Sequence, residues 1–232
     1  MLIDRTNGRI LDVLESREKT RIVEWLKAGV ASGLLGDLEE VTTDMWDGYV
    51  EAAREVFGSA VRVTIDRFHV MANFQESLTR ARRQIQRTLP KAAAAELKGT
   101  RWTWLTNPEN LTQDQRQTLE ALKRKYPPLQ QLADRRESLR QIFEDRTITT
   151  AVAGVERLRD WCREARALGL AALESFVATL ERWMDRIANY FVSRSTNAET
   201  EGYNHGLRAI LWRAFGMRNF AHFRARVLHV FG

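Results

Sequence analysis

One stretch, Glu39 to Val70, constrains the fold more strongly than the rest of the sequence. It reads EEVTTDMWDGYVEAAREVFGSAVRVTIDRFHV: a short β-branched segment before Asp44, a helical spacing of apolar residues through Phe57, and an alternating segment before Asp66. Strand, helix, strand is the connection that two neighbouring parallel strands require. The carboxyl ends of such strands share one edge of a sheet, so both aspartates are expected at that edge. Each aspartate is either a polar site residue or the cap of the helix that follows it.

The residues before this stretch predict a mixed sheet with helices packed against it. Asn7-Gly8 is a strong signal for a hairpin turn, and residues 16–35 have the apolar spacing of a one-sided helix with Ser16 as its N-cap. Only about three or four residues precede the turn, fewer than the usual length of a strand. We therefore expect the chain to enter its sheet with the first strand missing.

After Asp66 the sequence predicts helices and no further strand. We expect these helices at His69 to Lys98 with an interruption at Pro90, Thr112 to Lys125, Leu129 to Phe143, Thr149 to Leu168, Leu170 to Phe191, Asn197 to Gly216 and Asn219 to Val230. Gly99 to Leu105 is predicted to be a connector. On the helix that begins near Asn197, the polar residues share one face and the apolar residues the other. The polar face holds Glu201, Asn204, His205 and Arg208, and the apolar face holds Tyr203, Leu207, Ile210 and Leu211.

Composition excludes a membrane-spanning or disulfide-stabilised class of protein. The chain is 44% hydrophobic and 28% charged, with no long apolar run and no signal peptide after Met1. Its one cysteine, Cys162, forms no internal disulfide and is typical of a reducing compartment. We therefore expect a cytoplasmic protein with no membrane partner.

The net charge of +6 is concentrated in two blocks. Residues 67–104 contain eight basic and two acidic side chains, and residues 205–232 contain five arginines and no acid. Such blocks indicate a polyanionic partner, nucleic acid first, although solvated helix faces give the same pattern. Carboxylates at strand ends suit Mg²⁺, and a pair of such ions activates a hydroxyl for phosphoryl transfer. A nucleic-acid phosphodiester is therefore the expected substrate.

Two segments, VTTDMWDGYVEAAREVFGSAVRVTIDRFHV and STNAETEGYNHGLRAILWRAFGMRNFAHFR, resemble the DDE transposases of bacterial insertion sequences in the ISL-three family. The segment KGTRW at 98–102 and the turn Pro127-Pro128-Leu129 fit the same family. The resemblance implies an α-rich α/β protein: an RNase H-like mixed sheet interrupted by a large all-helical insertion. The expected regions are 1–70 for the sheet portion, 71–192 for the insertion and 193–232 for the last catalytic-type helix and the final helix.

The resemblance also implies DNA cleavage and joining at transposon ends, with Mg²⁺ or Mn²⁺ held by two aspartates and a glutamate. Counting elements along the RNase H-like pattern makes Asp44 the second acid, and Glu201 matches the helical glutamate. Asp66 and His69 form an Asp-x-x-His pair that supports the site or contacts DNA, and Asp66 is the second choice for the second acid. Simple capping and packing remain the alternative for this pair.

Several further residues receive roles from the same resemblance. Asn204 and Arg208 share the face of the glutamate, as supporting or phosphate contacts. The basic residues expected to follow DNA phosphates are Arg80, Arg82, Arg83, Arg87, Lys98 and Arg101. Trp102, Trp104 and Trp212 either stack on unpaired bases or pack in a core or an interface.

The first acid of the family has no match, since Asp4 and Asp12 lie on strands where it is not expected. The chain therefore resembles the C-terminal portion of a transposase, with activity lost or impaired in this chain alone. Its expected partners are transposon-end DNA and another copy of itself or a full-length transposase. The alternative function is a non-catalytic DNA-binding or interfering partner of full-length transposases.

Overall fold

A computed structural model of the chain describes residues 1–196, 198–213 and 218–232, apart from the side chains of residues 198–201. The chain divides into two compact units. Residues Met1–Phe68 and Ser195–Gly232 form the first, called the sheet unit, and His69–Arg194 form the second, called the helical unit.

The strands lie in the first part of the chain, and the elements that follow them are helices. Through residue 88 they are β1 (Leu2–Asp4), β2 (Arg9–Asp12), α1 (Lys19–Ala31), β3 (Glu40–Thr43), α2 (Asp47–Phe57), β4 (Arg62–Ile65) and α3 (Arg67–Thr88). The helices that follow are α4 (Lys91–Glu96), α5 (Arg101–Leu105), α6 (Gln113–Lys125), α7 (Pro127–Glu144), α8 (Ala151–Ala167), α9 (Ala171–Ala188), α10 (Tyr190–Ser193), α11 (Ala198–Arg213) and α12 (Phe220–Phe231).

The strands form two small sheets instead of the predicted single mixed sheet. β1 and β2 pair antiparallel around the turn at Asn7-Gly8, where Gly8 has the positive φ of 61° that this turn requires. β3 and β4 pair in parallel, joined by α2. No hydrogen-bonded ladder joins the antiparallel pair to the parallel pair among the described residues, so a single mixed sheet is not confirmed there. Each strand of the described part therefore has one edge without a strand partner.

The sheet unit contains two apolar clusters that place its helices. In one, Ile22 and Leu26 of α1 pack with Ala52 of α2. In the other, Ile10 of β2 and Val13 pack with Val227 of α12, which is fully buried. The second cluster brings the last helix of the chain against the first hairpin.

Most predicted helices are confirmed, with three corrections. α1 begins at Lys19, because Ser16 caps no helix and its Oγ accepts a hydrogen bond from the Glu18 amide at 3.1 Å instead. The expected connector contains the helix α5, because Trp104 and Leu105 bury themselves one turn after Gly99 ends the preceding segment. On α11, Leu211 is exposed and lies outside the apolar face. Residues 197 and 214–217, with the predicted cap and end of this helix, lie outside the described residues.

The helical unit has an aromatic and aliphatic core of its own. Phe74, Trp161 and Phe176 meet edge to face, with ring centroids between 4.7 and 5.8 Å apart. Thr112 caps α6 and Thr150 caps α8, and each side chain accepts a hydrogen bond from a backbone amide in the first turn of its helix. No helix in the described part of the chain is both long and apolar enough to span a membrane.

Candidate active site

The parallel strands bring Asp44 and Asp66 to neighbouring positions. The register pairs Thr43 with Ile65, the last residues of β3 and β4. The Asp66 amide donates to the Thr43 carbonyl at 2.9 Å, so the ladder continues one residue beyond the strands. Asp44 and Asp66 thus follow one another across the carboxyl edge of the sheet, about one strand spacing (~4.8 Å) apart along the backbone. This is the arrangement that strand–helix–strand connectivity predicts.

The two carboxylates differ in what they contact. Asp66 is 1% exposed, and its Oδ1 accepts the amide hydrogen of Phe68 at 3.1 Å, which is the geometry of a cap on α3. Asp44 caps nothing: α2 begins at Asp47 with no side-chain hydrogen bond at its N-cap. Of the two readings of each aspartate, capping therefore describes Asp66 but not Asp44.

Asp44 is half-buried, and its carboxylate has only a long hydrogen bond, 3.5 Å, from the Thr43 hydroxyl to Oδ1 in the described structure. The Tyr49 side chain, on the first turn of α2, is near this carboxylate. Burial and then the negative charge of Asp44 raise the pKa of the Tyr49 phenol. The carboxylate of Asp44 therefore keeps lone pairs that no strong protein donor uses.

α11 carries the remaining predicted residues of the site. Glu201 lies on this helix, and its side chain is outside the described residues. Asn204, His205 and Arg208 are exposed, whereas Tyr203 and Leu207 pack into the cluster around Val227. Between residues 202 and 210 the polar and apolar faces of α11 are thus arranged as their spacing predicts.

Three polar contacts hold α11, α12 and their approach to the strands of the sheet unit. The Ser195 hydroxyl donates to Glu40 Oε2 at 2.7 Å, joining the segment before α11 to the start of β3. The Tyr203 hydroxyl donates to the Gly8 carbonyl in the hairpin turn. Arg224 of α12 donates two hydrogen bonds to Asp12 of β2, from Nε to Oδ1 at 2.5 Å and from Nη2 to Oδ2 at 2.9 Å.

Asp12 is the anchor of the last of these contacts. It is 4% exposed, and the Trp25 indole also donates to its Oδ2 at 2.7 Å. Burial by itself raises the pKa of Asp12, but the hydrogen bonds from Arg224 and Trp25 outweigh it and hold the pKa below its ordinary value. Asp12 is therefore an ionised, fully occupied structural acid, and α12 is fixed to β2 through it.

Asp4 is occupied as well. Its carboxylate accepts hydrogen bonds from the Asn7 amide at 3.1 Å and the Asn7 side chain at 2.6 Å, and these hydrogen bonds lower its pKa. It stabilises the hairpin turn. The carboxylates of Asp4 and Asp12 are thus both engaged in contacts within the sheet unit. Among the described side chains, no group of three His, Cys, Asp or Glu residues is close enough to hold a metal ion.

Sequence reasoning missed the contacts of Ser195, Glu40 and Arg224. Arg224 entered only as part of a basic block. The sequence did contain a signal for this role. Ile10 and Asp12 are two positions apart on β2 and therefore share its buried face, and a buried carboxylate needs a cation as partner. Glu40 and Ser195 are 155 positions apart, and no local pattern relates them.

The basic residues predicted to meet DNA lie in α3 and in the segment 98–101 of the helical unit. Five are exposed and have no acid within salt-bridge distance among the described residues; this set, the cationic surface, is Arg80, Arg83, Arg87, Lys98 and Arg101. Arg82 differs, since it is 8% exposed and donates to the Leu97 carbonyl at 2.7 Å. Its guanidinium thus links α3 to the end of α4 by a buried hydrogen bond. His69 is exposed on the first turn of α3.

Known proteins with similar sequences indicate the family of this chain. A family model described as "Transposase", that of the ISL-three DDE enzymes, matches residues 1–227. The chain is 27% identical over 223 residues to the transposase for insertion sequence element IS1001 of Bordetella parapertussis. The match covers 93% of this chain and 52% of the relative, so the chain spans about half the length of that protein. No solved structure matches the chain. With the family model matching nearly the whole sequence, the chain belongs to the ISL-three family of DDE transposases.

Proposed function

We propose that this chain carries part of the catalytic centre of an enzyme of DNA transposition, which cuts and joins phosphodiester bonds with divalent metal ions. The observation that carries the proposal is the register of β3 and β4, which brings two aspartates together at a carboxyl edge in a chain of transposase family. Carboxylates at such an edge are the ligands that Mg²⁺ and Mn²⁺ prefer.

The proposed ligands are carboxylates, which suit a hard divalent cation, but they provide only part of a complete metal site. Asp44 offers a half-exposed carboxylate without a capping role, and Glu201 on α11 is the second proposed ligand. When bound, the metal supplies charge for the leaving oxygen and an activated hydroxyl. Asp66 holds the start of α3 beside Asp44 and is the alternative ligand. Asn204 and Arg208, on the exposed face of α11, contact and orient the phosphate.

The proposal includes an RNase H-like sheet in which one further strand pairs between the two small sheets and brings the first acid. Two observations support it: the described strands form separate pairs with free edges, and both acids of the first hairpin are already occupied. A metal site that lacks one carboxylate loses affinity and geometry. We therefore propose that these 232 residues alone are inactive or impaired in strand cleavage.

Metal binding tests the assignment of Asp44 in the chain as it stands. Free Mn²⁺ is measured by electron paramagnetic resonance during titration of the chain, of Asp44→Asn, and of Asp37→Asn, a nearby exposed acid outside the edge. We expect weak binding that Asp44→Asn abolishes and Asp37→Asn retains, because Asp44 lies at the carboxyl edge of the strands and Asp37 does not. Equal binding by all three proteins would contradict the role of Asp44 as a ligand.

Activity is tested in a longer transposase that contains this chain. We expect Mg²⁺-dependent nicking of transposon-end DNA to fall by roughly a thousandfold in Asp44→Asn and in Glu201→Gln, since each removes metal-held charge worth several kcal/mol. Full activity in Asp44→Asn would make that residue's assignment wrong.

A second candidate function is favoured by the cationic surface: a DNA-binding or interfering partner of transposases without catalysis of its own. It predicts salt-dependent DNA binding by the chain and no change in that binding on adding Mn²⁺ or on Asp44→Asn. The metal titration therefore separates it from the catalytic proposal.

A further inference from the structure

Two tryptophans two positions apart on α5 have opposite environments. Trp104 is 2% exposed, whereas Trp102 is 64% exposed. A tryptophan left largely in water forgoes the free energy that burying its ring supplies. Trp102 is thus an apolar side chain that the helical unit does not bury.

The position of Trp102 is fixed by its neighbours. Trp104 and Leu105 anchor the other side of α5 in the core of the helical unit. The Leu97 carbonyl, just before α5, accepts hydrogen bonds from the Arg82 guanidinium at 2.7 Å and from the Thr100 hydroxyl at 2.9 Å. The segment that leads into α5 is therefore held to α3, and the buried side chains of Trp104 and Leu105 fix the helix from which Trp102 extends into solvent.

Positive charge surrounds this ring. The Arg101 guanidinium lies over Trp102, 4.8 Å from the ring centroid. Burial, followed by the charges of Arg83 and Arg101, lowers the pKa of Arg82, so the cations of α3 and α5 are close enough to act on one another. Glu96, the nearest acid in sequence, is engaged by Lys125 of α6 at 2.6 Å. Around Trp102 the described cations thus lack a protein counterion.

We propose that Trp102 and Arg101 form a binding site for an unpaired base of DNA, with the other cations of the cationic surface contacting the phosphates beside it. The inference rests on the proposed function in taking DNA as the partner. Exposed cations without an acidic partner bind a polyanion such as the phosphate backbone of DNA. The bases are the part of DNA that stacks on an indole ring. In a paired duplex both faces of each base are already stacked, so the site selects single-stranded or unpaired DNA.

Binding of an oligo-dT strand and of a duplex of equal length, each by the whole chain, tests the proposal. Trp102→Ala is expected to weaken binding of the single strand by at least about fivefold and of the duplex by less than about twofold. Trp102→Phe keeps most of the single-strand affinity, because phenylalanine also stacks. It is expected to lose the quenching of Trp102 fluorescence that the proposal predicts for the unmodified chain on adding oligo-dT. Val152→Ala, at an apolar side chain 70% exposed on α8, leaves both affinities within about twofold.

Three outcomes overturn the inference. Equal losses for single strand and duplex in Trp102→Ala make Trp102 a general packing residue, and no loss at all removes it from the interface; in both cases DNA binding and the proposed function stand. Absence of binding to either DNA overturns the inference together with the cationic surface as a DNA site. The Mn²⁺ titration of Asp44 then still decides the catalytic proposal by itself.

Discussion

The helical unit contains two arginine-rich regions that use their cations differently. In α6–α9, six basic side chains lie within salt-bridge distance of acids: Lys123, Lys125, Arg135, Arg140, Arg163 and Arg166. In the cationic surface of α3 and α5 the five exposed cations have no such acid among the described residues. Both regions are rich in arginine, and the placement of acids distinguishes them. In the first region these six cations are paired with acids of the protein, whereas the second region is the one for which we propose a ligand.

The geometry of α3 supports this difference. Arg80, Arg83 and Arg87 are spaced at three and four positions, so they share one face of the helix. Like charges at this spacing destabilise an isolated helix by a few tenths of a kcal/mol per pair. In α7, by contrast, Arg140 donates to Glu137 and Glu144 at the same spacings. α3 thus retains a row of like charges, whereas α7 pairs its arginine with two glutamates.

Removing cations from the cationic surface should have the largest effect on binding. We expect Arg83→Ala/Arg87→Ala/Arg101→Ala to weaken duplex binding roughly a hundredfold at moderate salt and to lower the slope of log K against log salt by about 2.7, because each phosphate contact releases about 0.9 counterion. Fluorescence anisotropy of labelled duplex over a range of KCl measures both quantities.

A triple variant of the other region is the matched control. Arg135→Ala/Arg163→Ala/Arg166→Ala removes the same formal charge from cations that already pair with Glu164, Asp160 and Glu181. DNA affinity is expected to stay within about threefold. Equal losses in the two triple variants would show that net charge alone governs binding and would remove the distinction between the regions.

The paired region should respond through stability. Arg140 is 17% exposed in its side chain and contacts Glu109, Glu137 and Glu144. We expect Arg140→Ala to lower the free energy of unfolding by about 1–2 kcal/mol, because a partly buried network of charges is lost while solvent screens its outer members. Urea unfolding followed by circular dichroism measures the change. Arg87→Ala is the control, with an expected change under about 0.5 kcal/mol; a larger loss in the control would mean that Arg87 also supports the fold.

Much of the architecture could be predicted because it depends on local patterns. The hairpin at Asn7-Gly8, the neighbouring positions of Asp44 and Asp66, and the helix that begins after Thr112 all depend on residues a few positions apart or on strand–helix–strand connectivity. The proposed roles of Asp44 and Glu201 were reached from family resemblance together with this count of elements. They stay predictions.

The rest depends on distant partners. Trp102 and Trp104 are the same residue type on one short helix, and only the packing of α5 decides which is exposed. Arg82 and Arg83 are adjacent in sequence, yet one is buried against Leu97 and the other belongs to the cationic surface. Arg224 and Asp12 are separated by 212 positions. Charge counts cannot separate an arginine that supports the fold from one that binds a ligand, because the two differ only in which residue contacts the arginine in the folded protein.

Acid titration gives the smallest and most local test of the two regions. Hydrogen bonds from Arg140 hold the pKa of Glu137 below its ordinary value, despite burial that raises it. The stability contributed by a carboxylate with a lowered pKa is fully present above its unfolded-state pKa, about 4.3 for glutamate, and is lost as pH falls through the folded-state value. We expect Glu137→Gln to flatten the fall in unfolding free energy between about pH 6 and pH 3 by less than about 1 kcal/mol. Glu76→Gln, at an exposed acid of α3, is the control, because no described cation lies within salt-bridge distance of it. Equal flattening by both variants would mean that the pair of Arg140 and Glu137 stabilises the fold no more than two separately solvated charges do. The two regions would then differ in ligand binding but not in their contribution to stability.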